Sequence, residues 1–315
     1  MSEEESSHIL VNDVWRRYGR GKDTFDAIRG VSFTVRPGEL FALLGTNGAG
    51  KTSTVELLEG LAAPSRGSVR LFGGLDPVRD RAQIRARTGA MLQEGGFISH
   101  LTVRETVDMW AQLTSRPRPV QEALDLVGLA HRADVMVQNL SGGERRRLDL
   151  AVATSSSPGL VFLDEPTAGM DAEGRRATWQ LIRQLRDQGA TILLTTHYLE
   201  EAESLADRLA IMHRGRIAAS GSVSGIVADH PSTLSFGLPA RWSVHDLPVS
   251  GTAERHHQRV TVTTEQLQKD AARLLAWAED HDVTLDRFTA RPASLEEAFL
   301  RVAGHAGAQG QGEGE

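Results

Sequence analysis

Short runs of consecutive apolar residues alternate with amphipathic stretches through most of the chain. The runs lie at residues 40–44, 160–163, 191–195 and 208–212. Because each run is short and mostly apolar, it predicts a strand that is buried on both faces of a sheet. The amphipathic stretches predict helices at residues 52–61, 172–187 and 198–206. This alternation predicts an α/β fold with a mainly parallel sheet, whose ligands bind at the carboxyl ends of the strands.

Residues 95–155 have a different pattern, because helix-period stretches follow one another without strands between them. The predicted helices lie at residues 101–113, 120–127 and 141–153, and a proline-containing break at residues 116–119 separates the first two. We therefore expect a helical subdomain within an α/β domain that spans residues 8–225.

A second and smaller strand–helix pattern occupies residues 226–304. Residues 257–262 alternate as a strand does, and a helix follows them. The predicted apolar face of that helix comprises Leu267, Ala271, Leu274, Leu275 and Ala278. Thr263 and Gln266 have the spacing of a capping box at its start. The pattern predicts a small α/β accessory domain.

Composition limits the classes of protein that this chain resembles. Its 315 residues suit roughly two domains, and 40% hydrophobic residues are enough to form their cores. The chain has no cysteine, which excludes disulfides and thiolate metal sites. No run approaches the ~20 apolar residues that cross a bilayer, and the acidic start lacks the apolar segment of a signal peptide. The low-complexity ends, residues 1–7 and 305–315, predict disorder.

The net charge of −6 comes largely from glutamates in those two ends. The nearly neutral remainder argues against a broad nucleic-acid-binding surface, so we expect no nucleic-acid partner. His256 and His257 form an adjacent histidine pair without an evident third ligand, so we expect no metal site there.

Residues 45–52 carry the clearest chemical signal in the chain. Their sequence, Gly-Thr-Asn-Gly-Ala-Gly-Lys-Thr, matches the phosphate-binding loop G-x-x-x-x-G-K-[ST] between a predicted strand and a predicted helix. The glycines let backbone amides converge on a phosphate, and the helix N-terminus adds partial positive charge. Lys51 would reach the β- and γ-phosphates, and Thr52 would offer a hydroxyl to Mg²⁺. The loop predicts a nucleoside triphosphatase or kinase.

Further polar residues stand at the ends or starts of predicted elements. Asp164 and Glu165 end one buried-strand run, and His197 follows another. The sequence Leu-Ser-Gly-Gly-Glu makes Ser141 the N-cap of a predicted helix whose amides face an anion. Gln93 follows a short apolar stretch.

Together these segments resemble the ATP-binding subunit of an ABC transporter, and over about residues 8–225 they occur in that family's order. The matching positions are Tyr18 for the aromatic residue that stacks on adenine, Gln93 for the Q-loop, Ser141, Gly142 and Gly143 for the signature sequence, Asp164 and Glu165 for the Walker B aspartate and the catalytic glutamate, Asp171 for the D-loop, and His197 for the switch histidine. Thr46 and Met170 depart from the family's commonest residues, but neither change removes a functional group.

The resemblance implies a P-loop ATPase that uses ATP and Mg²⁺, and it assigns roles to individual residues. The nucleotide-binding residues would be Tyr18, Gly45, Thr46, Asn47, Gly48, Ala49, Gly50, Lys51, Thr52 and Ser53. The catalytic residues would be Glu165 as general base, His197 at the γ-phosphate, Gln93 and Lys51. The Mg²⁺ ligands would be Thr52, Gln93 and Asp164. The residues that bind nucleotide in trans, on a second copy of the chain, would be Ser141, Gly142, Gly143 and Asp171.

Two more segments are similar to ABC-2-type exporter ATPases, a group that includes antibiotic-resistance pumps. They are residues 196–203, Thr-His-Tyr-Leu-Glu-Glu-Ala-Glu, and residues 292–299, Pro-Ala-Ser-Leu-Glu-Glu-Ala-Phe. The resemblance implies a peripheral ATPase homodimer at the cytoplasmic face of the cell membrane. It would power a separately encoded permease that exports a drug, an antibiotic or another hydrophobic compound. A short permease helix would dock near residues 93–102.

Two alternatives have less support from the sequence. A soluble ABC ATPase acting on nucleic acid, ribosomes or cluster assembly would usually have two ATPase units or a long coiled coil. This chain has one unit, and the spacing between Lys51 and Ser141 leaves no room for such an insertion. A nucleotide sensor that does not hydrolyse ATP would not need Glu165 and His197.

Overall fold

The computed structural model describes residues 7–19, 21, 23–91, 96–114, 117–228 and 230–300. Gln93 and most of the two predicted disordered ends lie outside these residues, although Ser7 is described and buried. The chain divides into two compact units, and the boundary falls between Ser222 and Val223. The sequence placed the end of the first domain slightly later, at residue 225.

The N-terminal unit combines two sheets with seven helices among its described residues. Its strands are β1 (Ile9–Tyr18), β2 (Phe25–Val35), β3 (Leu40–Gly45), β4 (Arg66–Leu71), β5 (Thr88–Met91), β6 (Leu160–Asp164), β7 (Thr191–Thr196), β8 (Arg208–His213) and β9 (Arg216–Ser222). Its helices are α1 (Lys51–Leu58), α2 (Arg81–Arg85), α3 (Val103–Ala111), α4 (Val120–Leu126), α5 (Gly142–Ala153), α6 (Ala172–Asp187) and α7 (Leu199–Leu205).

The larger sheet has the strand order β5-β6-β7-β3-β8-β9, and its first five strands are parallel while β9 is antiparallel to β8. Every residue of β3, β6 and β7 is buried, which explains why Asp164 is the only charged residue among them. The predicted α/β fold with a mainly parallel sheet is confirmed. Because β3, β6 and β7 are neighbours, the segments that follow them meet at one edge of the sheet.

Helix α1 ends earlier than the sequence predicted, at Leu58 rather than residue 61. Gly60 has a φ of 67°, and a Cβ at this position would lie 2.1 Å from the carbonyl oxygen of Pro77. The chain therefore turns in the left-handed conformation that ends many helices. The amide of Leu61 closes the turn by donating to the carbonyl of Glu56 at 2.9 Å.

The second sheet of this unit is antiparallel, in the order β2-β1-β4. Apolar residues of both sheets form one cluster, in which the rings of Phe33 and Phe41 stack with centroids 5.3 Å apart. In the β1–β2 pair, Tyr18 is the register partner of Phe25. This pairing places two aromatic side chains beside the start of α1.

The predicted helices of the 95–155 region are confirmed as α3, α4 and α5. Helix α3 begins with a capping box in which the Thr102 hydroxyl accepts from the amide of Glu105 and the Glu105 carboxylate accepts from the amide of Thr102. Ser141 and Glu144 form the same reciprocal arrangement at the start of α5. Both helix starts are thus fixed by their own sequences.

The C-terminal unit has its own sheet and core. Its elements are α8 (Val223–Ala228), β10 (Ser232–Gly237), β11 (Thr252–His256), β12 (Arg259–Thr264), α9 (Leu267–Asp280) and β13 (Asp286–Arg291). The sheet is antiparallel in the order β11-β12-β10-β13, and its core includes Leu234, Phe236, Val260, Val262 and Leu274. No helix in the described residues of either unit is long and apolar enough to span a membrane.

Three details of this unit differ from the sequence-based expectation. Thr263 does not cap α9, because it lies within β12 and the hydroxyl of Thr264 accepts from the amide of Gln266 instead. Thr264 also donates to Asp270, which fixes its hydroxyl at the start of the helix. Leu275 is exposed rather than part of the apolar face. The predicted strand begins at Arg259 because the preceding residues form the β11–β12 turn.

Candidate nucleotide-binding site

Residues 45–50 form a turn between β3 and α1 whose shape requires glycine. Gly50 has a φ of 105°, and a Cβ there would lie 2.7 Å from the carbonyl oxygen of Ala27. A Cβ on Gly45 would lie 2.7 Å from the carbonyl oxygen of Met212. The backbone therefore packs against neighbouring strands, while the amides at the start of α1 can face an anion.

The turn is also joined to two other elements through backbone hydrogen bonds. The amide of Gly215, in the β8–β9 turn, donates to the carbonyl of Ala49 at 3.0 Å. The carbonyl of Gly215 in turn accepts from the amide of Arg29 in β2 at 2.7 Å. The phosphate-binding turn is thus one part of a three-way backbone junction.

Lys51 is buried, and its ammonium group lies among oxygens. It donates to the carbonyl of Gly45 at 2.8 Å and to that of Thr46 at 3.4 Å. One carboxylate oxygen of Glu165 lies 3.3 Å from the same nitrogen. This geometry gives the loop a fixed positive charge beside a buried carboxylate.

Glu165 is the centre of the polar contacts at the sheet edge. Its second carboxylate oxygen lies 2.7 Å from Nδ1 of His197, so one side chain contacts both a lysine and a histidine. The residue has a φ of 52°, a left-handed conformation that costs a non-glycine residue about 1–2 kcal/mol. Its amide donates to the carbonyl of Thr195 at 3.1 Å, which holds this conformation in place.

Asp164 and Glu59 are further carboxyl groups near the same edge. Asp164 is 3% exposed and accepts a hydrogen bond from the hydroxyl of Thr195. Glu59 follows α1, and burial together with the negative charges of Asp164 and Glu56 raises its pKa to about 7. Glu59 and Asp164 therefore interact electrostatically behind the phosphate-binding turn.

A pocket of about 620 Å³ opens over the phosphate-binding turn. It is lined by Tyr18, Phe25, Asp26, Ala27, Arg29, Asn47, Gly48, Ala49, Gly50, Lys51, Thr52, Ser53, Glu165, Arg214 and Gly215. Most of the predicted nucleotide-binding residues are brought together here. Gly45 and Thr46 lie just beneath as the lysine's acceptors, and Thr52 is exposed at the start of α1.

Tyr18 stands at one end of the pocket, and its hydroxyl is already engaged. It donates to the carboxylate of Glu56 at 2.9 Å and lies 3.1 Å from the hydroxyl of Ser53. The guanidinium of Arg16 lies 4.6 Å from the ring centroid, and the ring of Phe25 stacks on it at 5.5 Å. Phe25 is 60% exposed and offers an additional aromatic surface to a base.

Sequence reasoning missed Phe25, Arg29 and Arg214, which line the pocket from outside the phosphate-binding motif. Phe25 could be predicted to line the pocket only if the β1–β2 register were known, because that pairing brings it opposite Tyr18. Arg29 lies in β2 and Arg214 in the β8–β9 turn, and neither residue belongs to a local sequence motif.

The residues predicted to act in trans are not among those that line this pocket. Ser141 and Gly142 are exposed at the start of the 12-residue helix α5. The Ser141 oxygen accepts from the amide of Glu144, which leaves the hydroxyl proton available to donate to an anion. Asp171 is exposed and caps α6 by accepting from the amide of Gly174 at 2.8 Å.

Comparison with known proteins gives the family. The ABC transporter profile matches residues 28–168, and the profile named ABC transporter domain-containing protein-like, C-terminal domain, matches residues 232–294. Nod factor export ATP-binding protein I of Paraburkholderia xenovorans (strain LB400) is 37% identical over 306 residues, which cover 94% of this chain and 97% of the relative. The chain belongs to the ABC transporter family. The protein of the same name from Neorhizobium galegae is 36% identical over 303 residues, covering 90% of this chain and 82% of the relative.

Solved structures show the same ABC transporter fold. An ATP-binding subunit of an ABC transporter has 26% sequence identity and a TM-score of 0.62, and the match covers 71% of this chain and 93% of that one. A dimeric bacterial ABC transporter cassette has 23% identity and a TM-score of 0.62, covering 68% and 98% respectively. The second comparison extends the likeness in fold alone.

Proposed function

We propose that this chain is the ATP-hydrolysing subunit of an exporter, and that it powers a separately encoded membrane permease. The observation that carries the proposal is the chain of contacts from Lys51 to Glu165 to His197, of which Lys51 and Glu165 line the pocket. Nearly full-length relatives named as export ATP-binding proteins support the direction of transport. The cargo that we expect is a drug, an antibiotic or another hydrophobic compound.

ATP hydrolysis mainly requires positioning and neutralisation of charge at the γ-phosphate. Lys51 and the amides at the start of α1 supply fixed positive charge for the phosphates. Glu165 lies beside that lysine and accepts a proton from the attacking water. His197, in contact with Glu165, orients the water and the γ-phosphate. The aromatic surface of Tyr18 and Phe25 holds the adenine base.

The donor set also fits Mg²⁺, which prefers hard oxygen ligands. Asp164 is a buried carboxylate that pairs with no arginine or lysine of the described residues, and such a group is costly without a cation. Thr52 places an exposed hydroxyl in the pocket that Glu165 also lines. Thr52 and Asp164 would hold the ion, with Gln93 as the third predicted ligand. Bound Mg²⁺ would neutralise charge on the β- and γ-phosphates.

We further propose that two copies of the chain enclose ATP between them. The exposed Ser141 turn has a free hydroxyl proton and open helix amides, but it does not line the pocket of its own chain. In an assembly of two copies, the triphosphate held by one copy can accept hydrogen bonds from Ser141, Gly142 and Gly143 of the other. Asp171 of that other copy faces the same triphosphate from the start of α6. Identical subunits with complementary halves form a closed two-fold dimer.

The permease is proposed to bind the helical region through a short cytoplasmic helix, with the ATPase peripheral at the cytoplasmic face of the membrane. Ile98 is 53% exposed within the predicted docking segment. Trp110 and Leu113 are also exposed and line a groove of about 570 Å³ between α3 and the β5 strand. Charged substitutions at Phe97 and Ile98 should abolish co-purification of the permease; full retention would contradict this docking site.

Substituting Gln for Glu165 tests the proposed hydrolysis. Loss of a general base should slow ATP hydrolysis by about 10²–10⁴-fold while leaving the side-chain volume unchanged. The variant should also accumulate as an ATP-bound dimer on a sizing column. Glu173→Gln, an exposed substitution on α6, is the matched control. Hydrolysis at the wild-type rate by Glu165→Gln would contradict the assignment of Glu165 as the general base. Failure of the wild-type protein to hydrolyse ATP in the presence of its permease would contradict the proposed function.

A further inference from the structure

A fully buried carboxylate lies behind the proposed catalytic residues and has no role in the chemistry described so far. Glu201 is in the first turn of α7, the helix that begins two residues after His197, and its exposure is 0%. No arginine, lysine or histidine of the described residues forms an ion pair with it. Burial raises the pKa of Glu201, and the charge of Glu165 raises it further.

Glu201 instead interacts with hydrogen-bond donors of neighbouring segments, and the Thr196 hydroxyl at the end of β7 is one of those that oppose the rise of its pKa. Its Oε1 accepts from the hydroxyl of Thr167 at 2.7 Å and from the indole nitrogen of Trp179 at 3.0 Å. Thr167 lies in the turn between β6 and α6, while Trp179 lies on α6, and both are buried. One oxygen atom thus joins three segments of the chain.

The Thr167 contact reaches the segment that carries the proposed catalytic and trans-acting residues. Thr167 is two residues after Glu165, and the amide of Ala168 donates to the carbonyl of Glu165 at 3.2 Å. The carbonyl of Thr167 accepts from the amide of Met170, next to Asp171. The position of Thr167 therefore sets the path of the backbone from Glu165 to Asp171.

A buried carboxylate contributes less to the stability of this region than an apolar side chain would. Removing an ionised carboxylate from water is unfavourable when no cation accompanies it, whereas leucine would pack in a buried helix position without that cost. The carboxylate offers what leucine lacks, which is an acceptor that fixes Thr167 against the helix following His197. Precise placement of reacting groups is worth far more in rate than in stability, since a shift of 1 Å can cost about 10²-fold.

We propose that Glu201 is a positioning residue for ATP hydrolysis, acting through Thr167 to hold Glu165 and His197 at their mutual distance. The inference rests on the proposed ATPase function. It assigns to the Glu201–Thr167 hydrogen bond a role that the Glu201–Trp179 hydrogen bond does not share. That difference provides an internal control, because both bonds end on the same buried oxygen.

The test compares Thr167→Val with Trp179→Phe in the full chain. Thr167→Val exchanges the hydroxyl for a methyl group of similar size, and Trp179→Phe keeps an aromatic ring but removes the indole N–H, so each removes one hydrogen bond to Glu201. Thr167→Val should lower kcat for ATP hydrolysis by about 10–100-fold and leave KM within about threefold of wild type. Trp179→Phe should keep kcat within about threefold of wild type, even if its melting temperature falls as far as that of Thr167→Val.

Substitutions at Glu201 itself provide the rescue arm. Glu201→Gln retains an acceptor oxygen in the same place and should keep kcat within about threefold, whereas Glu201→Leu should match the loss of Thr167→Val. A fluorescent ATP analogue, titrated in parallel, should bind all four variants alike. Wild-type kcat in Thr167→Val, or equal losses of kcat in Thr167→Val and Trp179→Phe, would overturn the proposal. Absence of hydrolysis in the wild type would instead count against the proposed function.

Discussion

Replacing Glu59 with glutamine should stabilise the protein above neutral pH. Glu59 follows α1, and its Oε1 is buried without a hydrogen-bond partner in the described part of the chain. Burial, with the charges of Asp164 and Glu56, raises the pKa of Glu59 from 4.5 to about 7. Ionisation at pH 8 therefore costs roughly 3 kcal/mol, at about 1.36 kcal/mol for each unit of pKa. Partial access to solvent reduces this figure to about 2 kcal/mol.

The direction of the pH effect on stability follows from the state, folded or unfolded, in which Glu59 holds its proton more tightly. Because the pKa is higher in the folded state, the folded protein retains a proton that the unfolded chain releases above about pH 4.5. The resulting stabilisation is fully present below pH 4.5 and is lost as pH rises through about 7. Glutamine resembles the protonated carboxyl group and does not ionise, so Glu59→Gln should remove this loss.

Urea unfolding at a series of pH values measures the effect. Glu59→Gln should exceed the wild type in free energy of unfolding by about 2 kcal/mol at pH 8 and by less than about 1 kcal/mol at pH 5. Glu122→Gln, on the exposed side of α4, should show no such pH-dependent difference. A Glu59→Gln variant that unfolds with the wild type at pH 8, or whose advantage is the same at both pH values, would refute the reasoning.

Three further substitutions test separate parts of the molecule. Gly89→Ala would place a Cβ 1.8 Å from a carbonyl oxygen of α5 and should cost more than about 2 kcal/mol in thermal unfolding; wild-type stability would contradict this packing. Asp270→Ala removes the acceptor for Ser250 and Thr264 and should make the C-terminal unit sensitive to proteolysis, with a loss of about 2–4 kcal/mol. Phe25→Ala should weaken ATP binding about 5–100-fold but leave tripolyphosphate binding unchanged, and equal weakening of both would exclude base stacking.

The phosphate-binding turn was predictable because its chemistry depends on local spacing. Residues 45–52 need only a preceding strand and a following helix, and both were evident from apolar runs and periodicity. Asp164, Glu165 and His197 were predictable for a related reason, since parallel strands deliver the residues that follow them to one edge.

Contacts between distant segments were not predictable in the same way. Glu201 lies in an acidic stretch that reads as an exposed helix face, but its partners are Thr167 and Trp179 from other elements. Phe25 became part of the pocket only through its pairing with Tyr18 across two strands. In each case the deciding information is tertiary packing, which neither motif spacing nor helix periodicity contains.

The hydrogen bonds of the backbone junction at Gly215 allow ligand binding in the pocket to be detected by amide exchange, without a label. Its amide is bonded to Ala49 in the phosphate-binding turn, and its carbonyl accepts from the amide of Arg29. Amide protons exchange with solvent only when such bonds open, so a ligand that holds the turn closed must slow exchange at Gly215 and Arg29 as well. Slower exchange at these two amides, one in the β8–β9 turn and one in β2, would therefore report occupancy of the pocket from outside its phosphate-binding motif.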